Sequence, residues 1–293
     1  MTEVLHFPAA DAAKLESYLP PRPSEPSSGP AAAQPAGLAR PFVTLTFATS
    51  LDSSLALAPG VRTALSGPQS KAMTHYLRSR HDAILVGVGT AVADDPGLNC
   101  RIAAGSDPAA IDASDAMAVS AHQPRPIVID PHDRWPLEHD SRVLATQRRG
   151  LGLAPYVVTA VLEPNETKRQ LLESHGGKYI VLGGNGAASD RPGPGVRFRW
   201  EDVLASVANN GLRSVMIEGG GSIINTLLAP ESSSLVDSVI VTIAPTWLGR
   251  GGVVVSPDRV YDNNNQATAA ARLKDVKWQQ LGDDVVLCGR LNS

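Results

Sequence analysis

Val215–Leu228 reads VMIEGGGSIINTLL, and the fold turns on how its two halves are joined. Ser214 to Ile217 is an apolar run of strand length. Glu218-Gly219-Gly220-Gly221 is a glycine turn, and Ser222 to Leu228 carries its apolar residues at helical spacing. A strand passing directly into a helix is half of a parallel crossover, and Val236 to Ile243 supplies the next strand. The same alternation runs upstream. Glu201 to Asn210 is a helix closed by Gly211, Lys178 to Leu182 (KYIVL) a strand, and Asn165 to Ser174 a helix that stops at Gly176.

Nearer the N-terminus, Phe42 to Ala48 (FVTLTFA) puts Val43, Leu45 and Phe47 on one face of a strand. Ser66 and Gln69 form an S-x-x-Q capping box ahead of a helix bearing Met73, Tyr76 and Leu77. Ala83 to Val88 (AILVGV) is continuously apolar, as a strand covered on both faces should be. Pro126 to Asp130 and Tyr156 to Thr159 are short strands, and Arg272 to Leu291 reads as an edge hairpin around Gly282-Asp283. The pattern is α/β, with a mostly parallel central sheet flanked by helices and an antiparallel C-terminal hairpin. Residues 40–293 form a single domain on this reading, and residues 1–39 a flexible arm whose end, 20–39, is rich in Pro, Ala, Ser and Gly. Residues 103–124 read as a surface insertion, and Gly183 to Gly195 as a third loose stretch.

Bulk composition narrows the function by exclusion. Hydrophobic residues make up 43% and charged residues 19%, as in globular chains. The net charge, 26 − 29 = −3, lacks the basic excess expected of a nucleic-acid or membrane-surface partner. Cys100 and Cys288 form no CxxC pair, which points to a reducing compartment. The N-terminus carries no apolar signal region, and no run of about 18 apolar residues exists. A cytoplasmic protein is expected. Asn165-Glu166-Thr167 fits a glycosylation sequon only by chance on this reading.

Three glycines before a helix allow a ligand's phosphates to approach the backbone, while a tight turn that binds nothing would use the same residues. Gly87-Val88-Gly89-Thr90-Ala91-Val92 opens like a dinucleotide fingerprint but ends in valine, and no GxxxxGK[ST] occurs. Thr90 and Asp94, with Asp95-Pro96-Gly97 after them, offer a hydroxyl and a carboxylate to a ribose or amide, or simply cap a loop. Arg101 is close in sequence, and Arg78 reads as a solvated charge on its helix. HxE with PCxxC is missing, so no metal site is expected.

These segments together resemble the riboflavin-biosynthesis reductases, the fungal ones in particular: PFVTLTFATSLD (41–52), MTHYLRSRHDAILVGVGTAVADDPGLNCR (73–101), RPIVID (125–130), VMIEGGGSIINTLL (215–228) and VDSVIVTIAPTWLGRGG (236–252). The resemblance implies a dihydrofolate-reductase-like fold, a homodimer, and NADPH-dependent reduction of a phosphorylated ribosylamino-pyrimidine to its ribityl form. It assigns Ala48, Thr90, Asp94 and Gly219, Gly220, Gly221, Ser222 and Ile223 to the cofactor, and Arg78, Leu98, Arg101 and Glu218 to the substrate. Arg78 and Arg101 would anchor the 5′-phosphate. It leaves the proton donor open; water is one candidate. Where relatives have SLDG, Ser53 and Ser54 follow Asp52 here, and Pro131 stands where relatives carry a hydroxyl. Bacterial relatives add a zinc deaminase, whose motifs are absent, so reduction before deamination is implied. Two rivals stay open: a reductase of another pteridine-like or pyrimidine substrate, and a nucleotide-binding regulator without turnover.

Overall fold

In a computed structural model, residues 3–22, 40–103, 122–182 and 197–291 are described. The arm's 23–39 stretch, nearly all of the 103–124 insertion and Gly183 to Gly195 lie outside the described residues. The elements run α1 (Ala9–Leu15), β1 (Phe42–Thr49), β2 (Ser54–Ala56), α2 (Pro68–Ser79), β3 (Ala83–Gly87), α3 (Val88–Asp94), β4 (Arg125–Ile129), α4 (Arg142–Arg148), β5 (Tyr156–Thr159) and α5 (Glu166–Ser174). They continue with β6 (Lys178–Val181), α6 (Trp200–Asn209), β7 (Ser214–Gly219), α7 (Gly221–Leu227), α8 (Pro230–Ser233), β8 (Ser238–Ile243), β9 (Val253–Val254), β10 (Val260–Tyr261), β11 (Ala267–Thr268), β12 (Leu273–Leu281) and β13 (Asp284–Leu291).

One nine-stranded sheet runs β12-β13-β8-β1-β7-β3-β4-β5-β6. From β8 to β6 every pairing is parallel, whereas β13 is antiparallel to β8 and β12 to β13. The C-terminal ends of β1, β3 and β7 therefore share one edge, where ligands of open α/β sheets bind. Alternation of side chains gives the sheet two dry faces. Met216 and Ile240 pack with Tyr76, Leu77 and Cys288, while Val215, Ile217, Val239 and Val241 pack with Leu204 and Ile224. Both cysteines are free and buried. No helix among the described residues is long and apolar enough to cross a membrane.

Three local expectations change. Pro68 sits at the first helical position, so Gly67 rather than Ser66 becomes the N-cap of α2, and no side chain caps it. The Gly67 N–H donates instead to the Asp284 carboxylate at 2.8 Å. Residues 88–94 form the short helix α3 rather than a loop, and the turn begins at Asp95 with φ +38°.

The third change is at the N-terminus, where residues 3–22 pack rather than trail as an arm. Phe7, Ala12, Leu15, Tyr18 and Leu19 are buried in the core formed with α2. Phe7 lies 5.3 Å from the Tyr76 ring, centroid to centroid. Glu16 takes bonds from Tyr76 and Arg80. The apolar positions 12, 15 and 19 follow a helical face, but the helical turns they occupy are too short to stand without α2 beneath them.

Candidate active site

The glycine turn leaves the sheet between β7 and α7. Gly219 has φ +102°, open mainly to glycine, and a Cβ there would lie 2.8 Å from Ile224 Cδ1. At Gly221 a Cβ would fall 2.5 Å from Val253 Cγ1, so β9 closes over the start of α7. Gly220 differs: its absent Cβ would meet only Thr90 Oγ1, at 3.4 Å. Ile223 packs against Gly87, 3.1 Å from where its Cβ would be. The two glycine-bearing segments of the sequence are thus brought face to face, with Thr90 across from Gly220. Asp94 follows Thr90 by one turn on the same face of α3. Ala48 lies near the end of β1, paired with Thr242 of β8.

On the neighbouring side, α2 meets the segment 97–103. Arg78 donates from Nε to Glu218 Oε1 at 2.6 Å and from Nη2 to Oε2 at 2.7 Å, a bidentate pair. Its Nη1 donates to the Asn99 carbonyl at 3.0 Å. Burial opposes the charge on Arg78, but the Glu218 carboxylate outweighs it and raises the pKa. Arg78 is therefore not the solvated cation its helix suggests. Three of its five N–H groups are engaged among the described residues, leaving two for a ligand. Leu98, 2% exposed, adopts φ +48°, which costs a branched residue energy. The turn that follows aims the Asn99 carbonyl at Arg78.

Arg101 is held differently. Its backbone N–H donates to His75 Nδ1 at 3.0 Å, and its Nη2 lies 3.0 Å from His75 Nε2. The Leu5 N–H donates to the Arg101 carbonyl at 2.9 Å, and the Leu5 carbonyl accepts from Ala103 at 2.7 Å. The N-terminal segment thus props up the arginine. Burial, and then the Arg78, Arg101 and Lys71 charges, push the His75 pKa down to about 2, so the ring is neutral. Among the described residues Arg101 makes no ion pair; Glu3 acts on it only at longer range and is bonded to Lys71 at 2.9 Å.

All four residues assigned to the substrate sit at this corner, and six of the eight assigned to the cofactor, Thr90 and Gly219 to Ile223, surround the glycine turn. Ala48 and Asp94 share the sheet edge without a bond to it among the described residues. Sequence reasoning missed His75 and Asn99; the one available signal was that His75 and Arg78, three apart, share a helical face. Ser53 occupies a left-handed position (φ +60°), and its loop is held by Asp52, which accepts from Gly249 N–H at 2.7 Å. Burial pushes the Cys100 thiol up to about 11, which leaves it protonated and unsuited to nucleophilic work. No group of residues able to hold a metal exists among the described residues.

Comparison with known proteins follows the same outline. Residues 41–287 match the family described as the RibD C-terminal domain. A Debaryomyces hansenii protein named 2,5-diamino-6-ribosylamino-4(3H)-pyrimidinone 5′-phosphate reductase is 39% identical over 278 residues, 94% of either chain. The Saccharomyces cerevisiae protein of that name is 38% identical over 86% of this chain and 87% of its own. Among solved structures, the yeast riboflavin biosynthesis reductase Rib7 superposes with a TM-score of 0.66 at 32% identity, covering 96% of this chain and 98% of that one. Acinetobacter baumannii RibD, at 22% identity and a TM-score of 0.62, covers 87% of this chain and 59% of its own. The sheet is the dihydrofolate-reductase-like one of these reductases. This chain belongs to the RibD C-terminal domain family.

Proposed function

We propose that the chain reduces the ribosyl group of 2,5-diamino-6-ribosylamino-4(3H)-pyrimidinone 5′-phosphate to ribityl with NADPH, as the names of its relatives indicate for them. The observation that carries this reading is the meeting of two half-sites on one sheet edge: a glycine turn open at Gly220 beside Thr90, and an arginine corner built by α2, Glu218 and residues 98–101. The space over Gly220 suits a backbone-bound phosphate group, with Thr90 and Ser222 supplying hydroxyls. Bound there, the nicotinamide would supply the hydride. Arg101 would fix the substrate phosphate. Arg78 would orient Glu218, whose carboxylate can still accept from a sugar hydroxyl or a pyrimidine amine through its remaining lone pairs. Holding the acceptor carbon in place converts an encounter into a positioned reaction, worth up to about 7–11 kcal/mol of barrier. His75, the histidine at this corner, is neutral, and water is the proton source in this reading.

A homodimer in the cytoplasm completes the proposal. Strand β8 is paired on both edges, by β1 and β13, and offers no open edge to a second subunit. Exposed apolar surface lies instead on the edge hairpin, where Val276, Trp278 and Val285 are 41%, 62% and 36% exposed. A groove of about 310 Å³ lined by Phe47, Val239, Val241 and Leu273 adjoins it. Light scattering should give twice the chain's 30.7 kDa.

The direct test is NADPH oxidation with and without the pyrimidine phosphate. Turnover with it is expected; binding of both ligands without turnover would favour a regulator. Gly220→Val should weaken NADPH binding while the unfolding temperature holds, because the added side chain enters the space facing Thr90. Unchanged NADPH affinity would remove the glycine turn from the site.

A further inference from the structure

We propose that His75 is a further substrate-binding residue, whose Nε2–H joins the Arg101 guanidinium in holding the phosphate monoester. This rests on the reading of Arg101 as the phosphate anchor. One donor in this contact is obligatory. The Arg101 backbone N–H can only donate, and it points at His75 Nδ1 from 3.0 Å, so Nδ1 carries the lone pair. A neutral imidazole then has its proton on Nε2. Facing that N–H, 3.0 Å away, is Arg101 Nη2, which also can only donate.

Two donors in contact make no hydrogen bond. Turning Arg101 away would leave the Nε2–H without an acceptor on a side chain only 4% exposed, a costly arrangement in a protein interior. No acceptor for Nε2 is present among the described residues. One acceptor oxygen placed between the two groups satisfies both. The field selects its charge: Arg78 and Arg142 act on Arg101 alongside Glu3, whose carboxylate is tied to Lys71. Glu218, which would repel an anion, is occupied by Arg78. A phosphate dianion, with several oxygens to divide between a guanidinium and an imidazole N–H, matches this pair of donors.

The test uses the full chain and two substitutions with opposite geometry. His75→Asn can keep an acceptor for the Arg101 backbone N–H but has no donor at the Nε2 position. His75→Gln places an amide N–H near Nε2 and gives up the Nδ1 contact. Inorganic phosphate serves as competitive inhibitor, and substrate with and without its phosphate gives KM. Expected for His75→Asn is a loss of roughly tenfold or more in phosphate affinity and in KM for the phosphorylated substrate, with kcat and NADPH affinity near wild type. The dephosphorylated substrate should be indifferent, and His75→Gln should recover most of the loss. A purely structural histidine would give the reverse order, Asn tolerated and Gln damaging, and would overturn the proposal. So would wild-type phosphate affinity in His75→Asn while Arg101→Ala is weakened: His75 would then face only water. If Arg101→Ala itself leaves phosphate affinity unchanged, the phosphate reading fails and the proposal with it. Should His75→Asn not fold, 15N-histidine NMR of the wild type decides: phosphate should shift the Nε2 resonance of His75, and a resonance that stays put while phosphate inhibits would overturn the idea.

Discussion

Arg78 and Arg101 bring the same guanidinium to the same corner and are treated in opposite ways. Arg78 is clamped by both oxygens of Glu218 and by the Asn99 carbonyl. Arg101 has a donor where an acceptor should be, and its support comes through backbone bonds from Leu5. A neutralised arginine shapes a site, because its charge is already answered inside the protein. An unanswered one waits for a ligand's charge. The first kind should reveal itself in stability when altered, the second in binding.

The largest effect is expected from removing residues 1–22, which takes away the prop beneath Arg101. Burial of Phe7, Leu15, Tyr18 and Leu19 at about 1.5–3 kcal/mol each gives roughly 6–12 kcal/mol as an upper bound. That rivals the whole stability of a typical domain, so the truncated chain should be insoluble or unfolded at 37 °C. A soluble truncated chain with unaltered unfolding temperature and KM would end the claim that this segment belongs to the fold.

Next in size, Glu218→Ala strands the Arg78 charge, whose side chain is only 15% exposed, and should cost up to about 3–5 kcal/mol in urea unfolding. Replacing both partners with leucine should recover part of that loss; no recovery would mean the pair is not the source. Acidification comes third. His81 is fully buried, bonded to the Leu77 carbonyl and to Thr44, and burial first of all pushes its pKa down to about 4. His75 sits near 2. Unfolding raises both toward the ordinary value of about 6.5, so the unfolded chain binds protons the folded one refuses, and stability falls as pH drops below about 6.5. From pH 6.5 to 5 the loss should be on the order of 2–4 kcal/mol. Half that loss would show that one ring takes its proton in the fold, and a flat urea midpoint across the window would show that both do.

Smallest in stability is Arg101→Ala, expected to cost less than about 1 kcal/mol because it breaks no ion pair. Its effect should fall on KM for the phosphorylated substrate, by about tenfold to a hundredfold, and not on the dephosphorylated one. If instead Arg101→Ala destabilised as Glu218→Ala does, the contrast between the two arginines would collapse.

Much of this molecule was open to reading from its residues alone. Strand and helix identities in β1, β3, β7 and α7 follow from local periodicity, and the glycine turn marks itself because Gly219 needs a backbone angle other residues avoid. Those are local properties, set within a few residues of one another. The Ser66 capping box was misread at an element end, where Pro68 at the first helical position prevailed, and the short helix at β3's end went unread. The packing of residues 3–22, the pairing of Arg78 with Glu218 across 140 residues and the contact of Arg101 with His75 were decided by tertiary structure only. A charged side chain's role depends on what else fills the low-dielectric space around it. The sheet order and the seat of α2 set that space, and no spacing in the sequence encodes it.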